Sequence, residues 1–171
     1  KETKLTLFEK EILRLILNYG NETIHISNEE INLTKFFVEE LEYDDLKFTT
    51  PKYKILYSEI VNNFKENKSV EAKYFLNNNH SIIQEIAIDL MTNKHNISVN
   101  WQKRHNIFTS TESDSLSKTA EKALLNLKHE HLENQINELK KTLNIENKAL
   151  VNKFKSLVEI RKEIAQKLGR K

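Results

Sequence analysis

The chain of 171 residues (20.2 kDa) holds only 2 Gly and 1 Pro, has no Cys, and is 30% charged and 38% hydrophobic. So few turn-formers exclude β-sandwiches, β-barrels and Gly-rich phosphate loops, and the lack of thiols excludes disulfides, zinc ribbons, iron–sulfur clusters and cysteine nucleophiles. The net charge of +2 hides an asymmetry, because residues 1–112 carry −3 and residues 113–171 carry +5.

What composition leaves is a soluble, α-helical chain with no evident catalytic equipment. At this length it buries roughly two-thirds of its unfolded surface and needs no covalent or metal staple. The basic tail suits either an acidic protein surface or nucleic acid, and it equally suits the solvated face of a Lys-rich helix. The longest apolar runs, Ile12–Leu17 and Ile86–Met91, are interrupted by Arg14 and Asp89, far short of the ~20 residues that span a bilayer. No secretory signal opens the chain. Lys1 in place of Met points to a piece of something longer, and the missing thiols agree with a cytoplasmic protein.

In chain order, Thr6-Leu7-Phe8-Glu9 has the spacing of a capping box, so a first helix is expected from there, with Leu7, Phe8, Ile12, Leu15 and Ile16 inward and Gly20 as a left-handed stop. His25 to Asn32 reads as a polar bridge. A second helix is expected over Leu33–Leu41, with Phe36, Phe37 and Leu41 buried. Thr50-Pro51 supplies an N-cap and a first helical residue, and Tyr53, Leu56, Tyr57, Ile60 and Phe64 then recur at helical spacing. Ser69 and Ser81 look like caps of two further helices, one running through Phe75 and the other through Ile82, Ile83, Ile86 and Leu90, with Asn77–Asn79 as the turn between them.

Asn93 to Ser113 reads as irregular and carries the single Trp101. From about Asp114 no Gly or Pro occurs until Gly169. The stripe Leu116, Ala120, Ala123, Leu124, Leu127 slips to Leu132, Ile136, Leu139, Leu143, so this helix changes the face it buries. About thirty residues make a rod of roughly 45 Å, whose far end should protrude from a small bundle. The chain turns near Asn144–Asn147. A last helix carries one apolar row, Leu150, Phe154, Leu157, Ile164 and Leu168, and a second, Val151, Val158 and Ala165. The expected architecture is all-α: a compact bundle of about five short helices over 1–113, a long connecting helix over 114–131 and a C-terminal helical hairpin over 132–171.

Catalytic signatures are missing. His129 and His131 point to nearly opposite sides of a helix and cannot share an ion, no H-E-x-x-H or paired E-x-x-H occurs, and His95 and His105 lie in irregular backbone. Asp44-Asp45 and Glu29-Glu30 read as solvated surface. No nucleophile elbow or dinucleotide fingerprint is present. No metal, cofactor or enzyme activity is expected. Trp101 suits either a core anchor or a partner hot spot.

Between Ile86 and Lys128, the residues Asp89-Leu90-Met91, Lys94, Ile97-Ser98, Trp101, Ile107, Glu112, Asp114, Leu116, Ala123-Leu124 and Leu127-Lys128 resemble the C-terminal domain of bacterial DnaG-type DNA primases of Bacteroidetes-like organisms. The segments Leu7–Leu15 and Thr50–Tyr53 are similar to the same domain. The resemblance spans essentially the whole chain and rests on dispersed positions. It implies a bundle, long helix and terminal hairpin that docks primase onto the N-terminal domain of the hexameric DnaB-type replicative helicase, a non-catalytic part of the primosome in DNA replication. The catalytic and zinc domains of a primase are not represented. Carried onto this sequence, helicase binding falls on Leu150, Val151, Phe154, Leu157, Val158, Arg161, Ile164 and Leu168, with the lysines steering approach. The alternative is a basic helical nucleic-acid-binding domain. Its weakness is that aromatic residues for base stacking are missing from the tail apart from Phe154.

Overall fold

A computed structural model describes residues 2–91, 112–142 and 147–170, the side chains of 112–114 apart. Trp101, His95, His105, the irregular stretch as far as 111, Leu143 and most of the Asn144–Asn147 turn lie outside the described residues. The chain is mostly α-helical: α1 (Lys4–Tyr19), α2 (Leu33–Tyr43), α3 (Pro51–Lys65), α4 (Ala72–Leu76), α5 (81–91), α6 (Glu112–Thr142) and α7 (Lys148–Lys167). To these it adds one small antiparallel sheet of β1 (Thr23–Ile26) and β2 (Glu29–Asn32).

α1 is the axis of the core. Ile12, Leu13, Leu15 and Ile16 are almost wholly excluded from water and join one apolar cluster with residues of α2, α3, α4 and α5 and the first half of α6. The helix begins one turn earlier than the Thr6/Glu9 spacing suggests. Thr3 is the N-cap, its hydroxyl accepting from Thr6 N–H at 3.1 Å. Glu9 is thereby freed from a local cap and does the same work for another helix. Its fully buried carboxylate accepts from the Thr49 hydroxyl (2.9 Å), the Thr49 N–H and the Thr50 N–H (3.1 Å). Thr50 is the N-cap of α3 and Pro51 its first residue, as the sequence indicates, but the Thr50 hydroxyl meets Thr6 Oγ1 at 3.2 Å and caps nothing. Glu9 therefore supplies from α1 the carboxylate that a capping box would carry three residues into α3.

Gly20 is not the left-handed stop expected of it, since its φ is −59°. It is required by close approach. Its carbonyl receives Asn32 Nδ2 (2.8 Å), Thr34 Oγ1 (2.9 Å) and Thr34 N (3.3 Å). A Cβ there would stand 2.6 Å from Thr34 Oγ1 and 3.1 Å from Val70 Cγ2, and would run into the Ile16 carbonyl.

The segment read as a polar bridge is a β-hairpin. Ser27 (φ 51°) and Asn28 (φ 70°) are both left-handed, the requirement of a two-residue type I′ loop, and Ile24 pairs with Ile31 across it. Ile24 is fully buried and His25 N–H donates to Ser117 Oγ of α6 at 3.0 Å. Two expected caps also shift. α4 starts from Glu71, with Ser69 Oγ accepting from the Glu71 N–H, and Ser81 sits inside the first turn of α5.

α6 runs antiparallel to α1, from Ser117 beside the hairpin to His131, on which Glu9 acts. Ala120, Ala123, Leu124 and Leu127 complete the core. Lys128 closes this wall by bridging Glu40 and Asp44 at the end of α2, 2.7 Å to each. Burial alone would lower its pKa, but the two carboxylates hold it above its ordinary value.

Two substitutions test these contacts. Gly20→Ala in an ordinary αR position would gain a few tenths of a kcal/mol by stiffening the unfolded chain. Here the collision decides the sign, and a loss of about 2 kcal/mol is expected in denaturant unfolding. Glu9→Ala strands three donors and is expected to cost about 3 kcal/mol. Glu9→Gln, which keeps one acceptor oxygen, should fall between it and wild type.

Candidate docking surface on the helical hairpin

The basic half of the chain ends in α7, whose boundaries follow from local chemistry. Asn147 caps it, its side chain accepting from Leu150 N–H at 3.2 Å. At the other end Gly169 is left-handed (φ 68°), its N–H bonds to Gln166 O, and Arg170 N–H reaches Ala165 O at 2.8 Å. These are the two bonds of a Schellman stop. The reversal aims Arg170 back along the hairpin, where its guanidinium donates to Asn126 Oδ1 of α6 at 2.8 Å.

Leu150, Phe154, Leu157, Arg161, Ile164 and Leu168 succeed one another at alternating steps of four and three, the seam spacing of a coiled coil. Arg161 fixes which way the seam faces, because it donates to Glu133 Oε1 of α6 at 2.8 Å. With Arg170 on Asn126, it sets α7 antiparallel on α6. All eight residues singled out for docking, these six with Val151 and Val158, are half-buried, seven standing on α7 and Leu168 forming its C-cap. The structure thus brings them together on and beside the seam. The first row is not separated from the second by burial, and no side chain of α7 is fully buried.

The opposing row of α6 is Leu132, Ile136 and Leu139, of which only Ile136 is closed to water. The stripe that slips in the sequence is therefore two stripes with two partners, α1 for the first and α7 for the second. His131 turns to α1 and His129 to α7, about 200° apart on an ideal helix. Burial lowers the pKa of both, and for His129 Arg170 adds to the effect. Neither is near a metal-competent set, for among the described residues no group of three His, Asp or Glu could hold an ion.

Ile160 is the apolar residue missed by row counting. It falls off both rows, is 46% exposed, and is the large exposed hydrophobic of α7. Its signal in the sequence is an isoleucine that neither row accounts for on a helix with six Lys/Arg against two Glu. No helix among the described residues is long and apolar enough to cross a membrane.

The seam makes a prediction about its one charged member. Arg161→Ala should loosen α7 by about 1 kcal/mol, the scale of a partly exposed ion pair. Amide exchange in 148–167 should accelerate while α1–α3 keep their protection.

No curated protein and no solved structure matches the chain. A family model does, over residues 1–171, and it carries the description of a domain of unknown function, DUF8430. This chain, a helical bundle extended by a hairpin of two helices, belongs to the DUF8430 family.

Proposed function

We propose that the chain is a protein-docking module whose working surface is the α6–α7 hairpin. On the primase resemblance of its sequence, its partner is the N-terminal domain of a hexameric replicative helicase. One observation carries the reading. A 20-residue amphipathic helix, with apolar side chains in two rows and Ile160 in water, leaves none of its side chains fully buried within its own chain. Apolar rows left half-covered in this way support a surface that a protein partner would finish covering. Helix-in-groove docking would complete the burial, with the α7 lysines at the rim raising the encounter rate. On this reading the chain carries no catalytic residue or cofactor, and it acts in the cytoplasm at the replisome by holding a primase beside its helicase.

A second reading rests on the same helix. Exposed Lys153, Lys155, Lys162 and Lys167 on α7 could contact phosphates of a nucleic acid. Apart from Phe154, which belongs to the seam, no aromatic stands among them for base stacking, which places this reading second.

Gel filtration of the chain with the helicase N-terminal domain of the same organism tests the first reading. Co-elution is expected, and Ile160→Asp, an exposed change that leaves the fold intact, should weaken binding about tenfold or more. Separate elution of the two proteins rejects the helicase as partner. Co-elution indifferent to Ile160→Asp and to truncation after Leu132 rejects the hairpin. Binding of single-stranded DNA that weakens steeply between low and moderate salt would favour the second reading.

A further inference from the structure

The contact between α6 and α7 contains a histidine in an unusual place. Asn126, His129 and Glu133 lie at spacings of three and four and so share one stripe of α6. The two outer residues are the acceptors for Arg170, just past the end of α7, and Arg161 of α7, each at 2.8 Å. His129 lies between them. Its Nδ1 is buried and has no hydrogen-bond partner among the described residues. The charges acting on it are Arg161 of α7 and Arg170 beyond its end, and Glu130 and Glu133 from its own helix. Glu133 already accepts from Arg161.

We propose that His129 is an acid-sensitive latch on the hairpin: neutral, it lets Arg161 of α7 and Arg170 just beyond it close on α6, and protonated, it drives α7 off. The proton taken from solvent charges a buried ring and places a third cation beside the two arginines, against Glu130 and a Glu133 that Arg161 already engages. If Glu133 turns to the new imidazolium, it leaves Arg161, so relieving the repulsion breaks the ion pair that orients the seam. α7 is also held loosely, having no fully buried side chain. The sign follows from linkage. A histidine whose pKa is depressed in the closed state stabilises that state above the ordinary imidazole range, and this is lost as pH falls through and below that range. His131 is the natural control. Its Nε2 is also buried without a partner, but the charges acting on it are Glu9 of α1 and Glu130, both anions. Burial lowers its pKa too, but it faces α1, so protonating it engages Glu9 and Glu130 and adds no charge beside the arginines that hold α7.

The latch works on the chain alone, so its test is independent of any docking partner. The absence of Cys allows nitroxides on Asn134→Cys and Lys162→Cys, both exposed positions on the two helices, with the interspin distance read at about pH 7.5 and about pH 5.5, either side of the imidazole range. A short distance at the higher pH should give way to a longer, broader distribution at the lower, with helicity and the amide protection of α1–α3 retained. His129→Gln should stay short at both, His131→Gln should open like wild type, and His129→Lys should be long at both. An unchanged distance in the wild-type titration, opening that persists in His129→Gln, or opening accompanied by loss of protection in α1–α3 would each overturn the proposal.

Discussion

A helix offers each neighbouring helix one stripe of its surface, and α6 packs along two, α1 and α7. At 3.6 residues per turn a single seven-residue pattern cannot face both, so the apolar spacing has to break where the first partner ends and the second begins. The break falls at 127–132. Before it Ala120, Ala123, Leu124 and Leu127 seal the core built around α1, and after it Leu132, Ile136 and Leu139 form the row opposed to α7. Lys128, at the junction, is tied to the end of α2 by Glu40 and Asp44. Those two bonds anchor α6 against rotation about its axis, and this keeps the second stripe pointed where α7 can use it.

The two halves are held by unequal means. Each fully buried Leu or Ile contributes about 1.5–3 kcal/mol over its exposed state, and the bundle has many such residues in one continuous cluster. α7 contributes none, and its ties to α6 are half-covered apolar contacts, one ion pair and one bond from Arg170. Stability is therefore graded along the chain, with the bundle at the top and α7 at the bottom. Elements at the low end of such a gradient open locally without unfolding the rest. That grading allows a surface to be offered to a partner while the scaffold beneath it stays fixed.

Legibility in the sequence followed periodicity. The helices around Tyr53–Phe64 and Leu150–Leu168, the length of α6 and the slip in its stripe were all readable because long apolar repeats leave few alternatives. The β-hairpin was not. Its strands have four residues each, β2 opens with Glu29-Glu30, and its turn is Ser27-Asn28 in place of the Gly-containing pairs that announce such loops. Glu9 was misread for a related reason. Its spacing from Thr6 satisfies a local cap, and only the fold brings Thr49 and Thr50, forty residues on, to its carboxylate. Gly20 followed the same logic: a helix-terminal glycine usually means positive φ, and the crowding by Thr34 and Val70 that demands it here is a tertiary fact. In the candidate site the rows were legible and the outlier Ile160 was not, since row counting discards residues that belong to no row.

Charge and apolarity divide the work on α7. A seam of leucines alone would define neither direction nor rotation, because apolar contacts tolerate sliding by a turn. Arg161, set within the seam and bonded to Glu133, and Arg170, turned back by the left-handed Gly169 onto Asn126, fix register at two points nine residues apart. Two points define both the direction and the alignment of one helix on another. The cost of using cations for this is that a third positive charge between them is repelled by both and is offset only by Glu130 and by Glu133, which Arg161 already engages, and the stripe from Asn126 to Glu133 places an ionisable ring there. A neutral glutamine in that position would hold the same register with no dependence on pH, so the choice of histidine is what makes closure of the hairpin conditional.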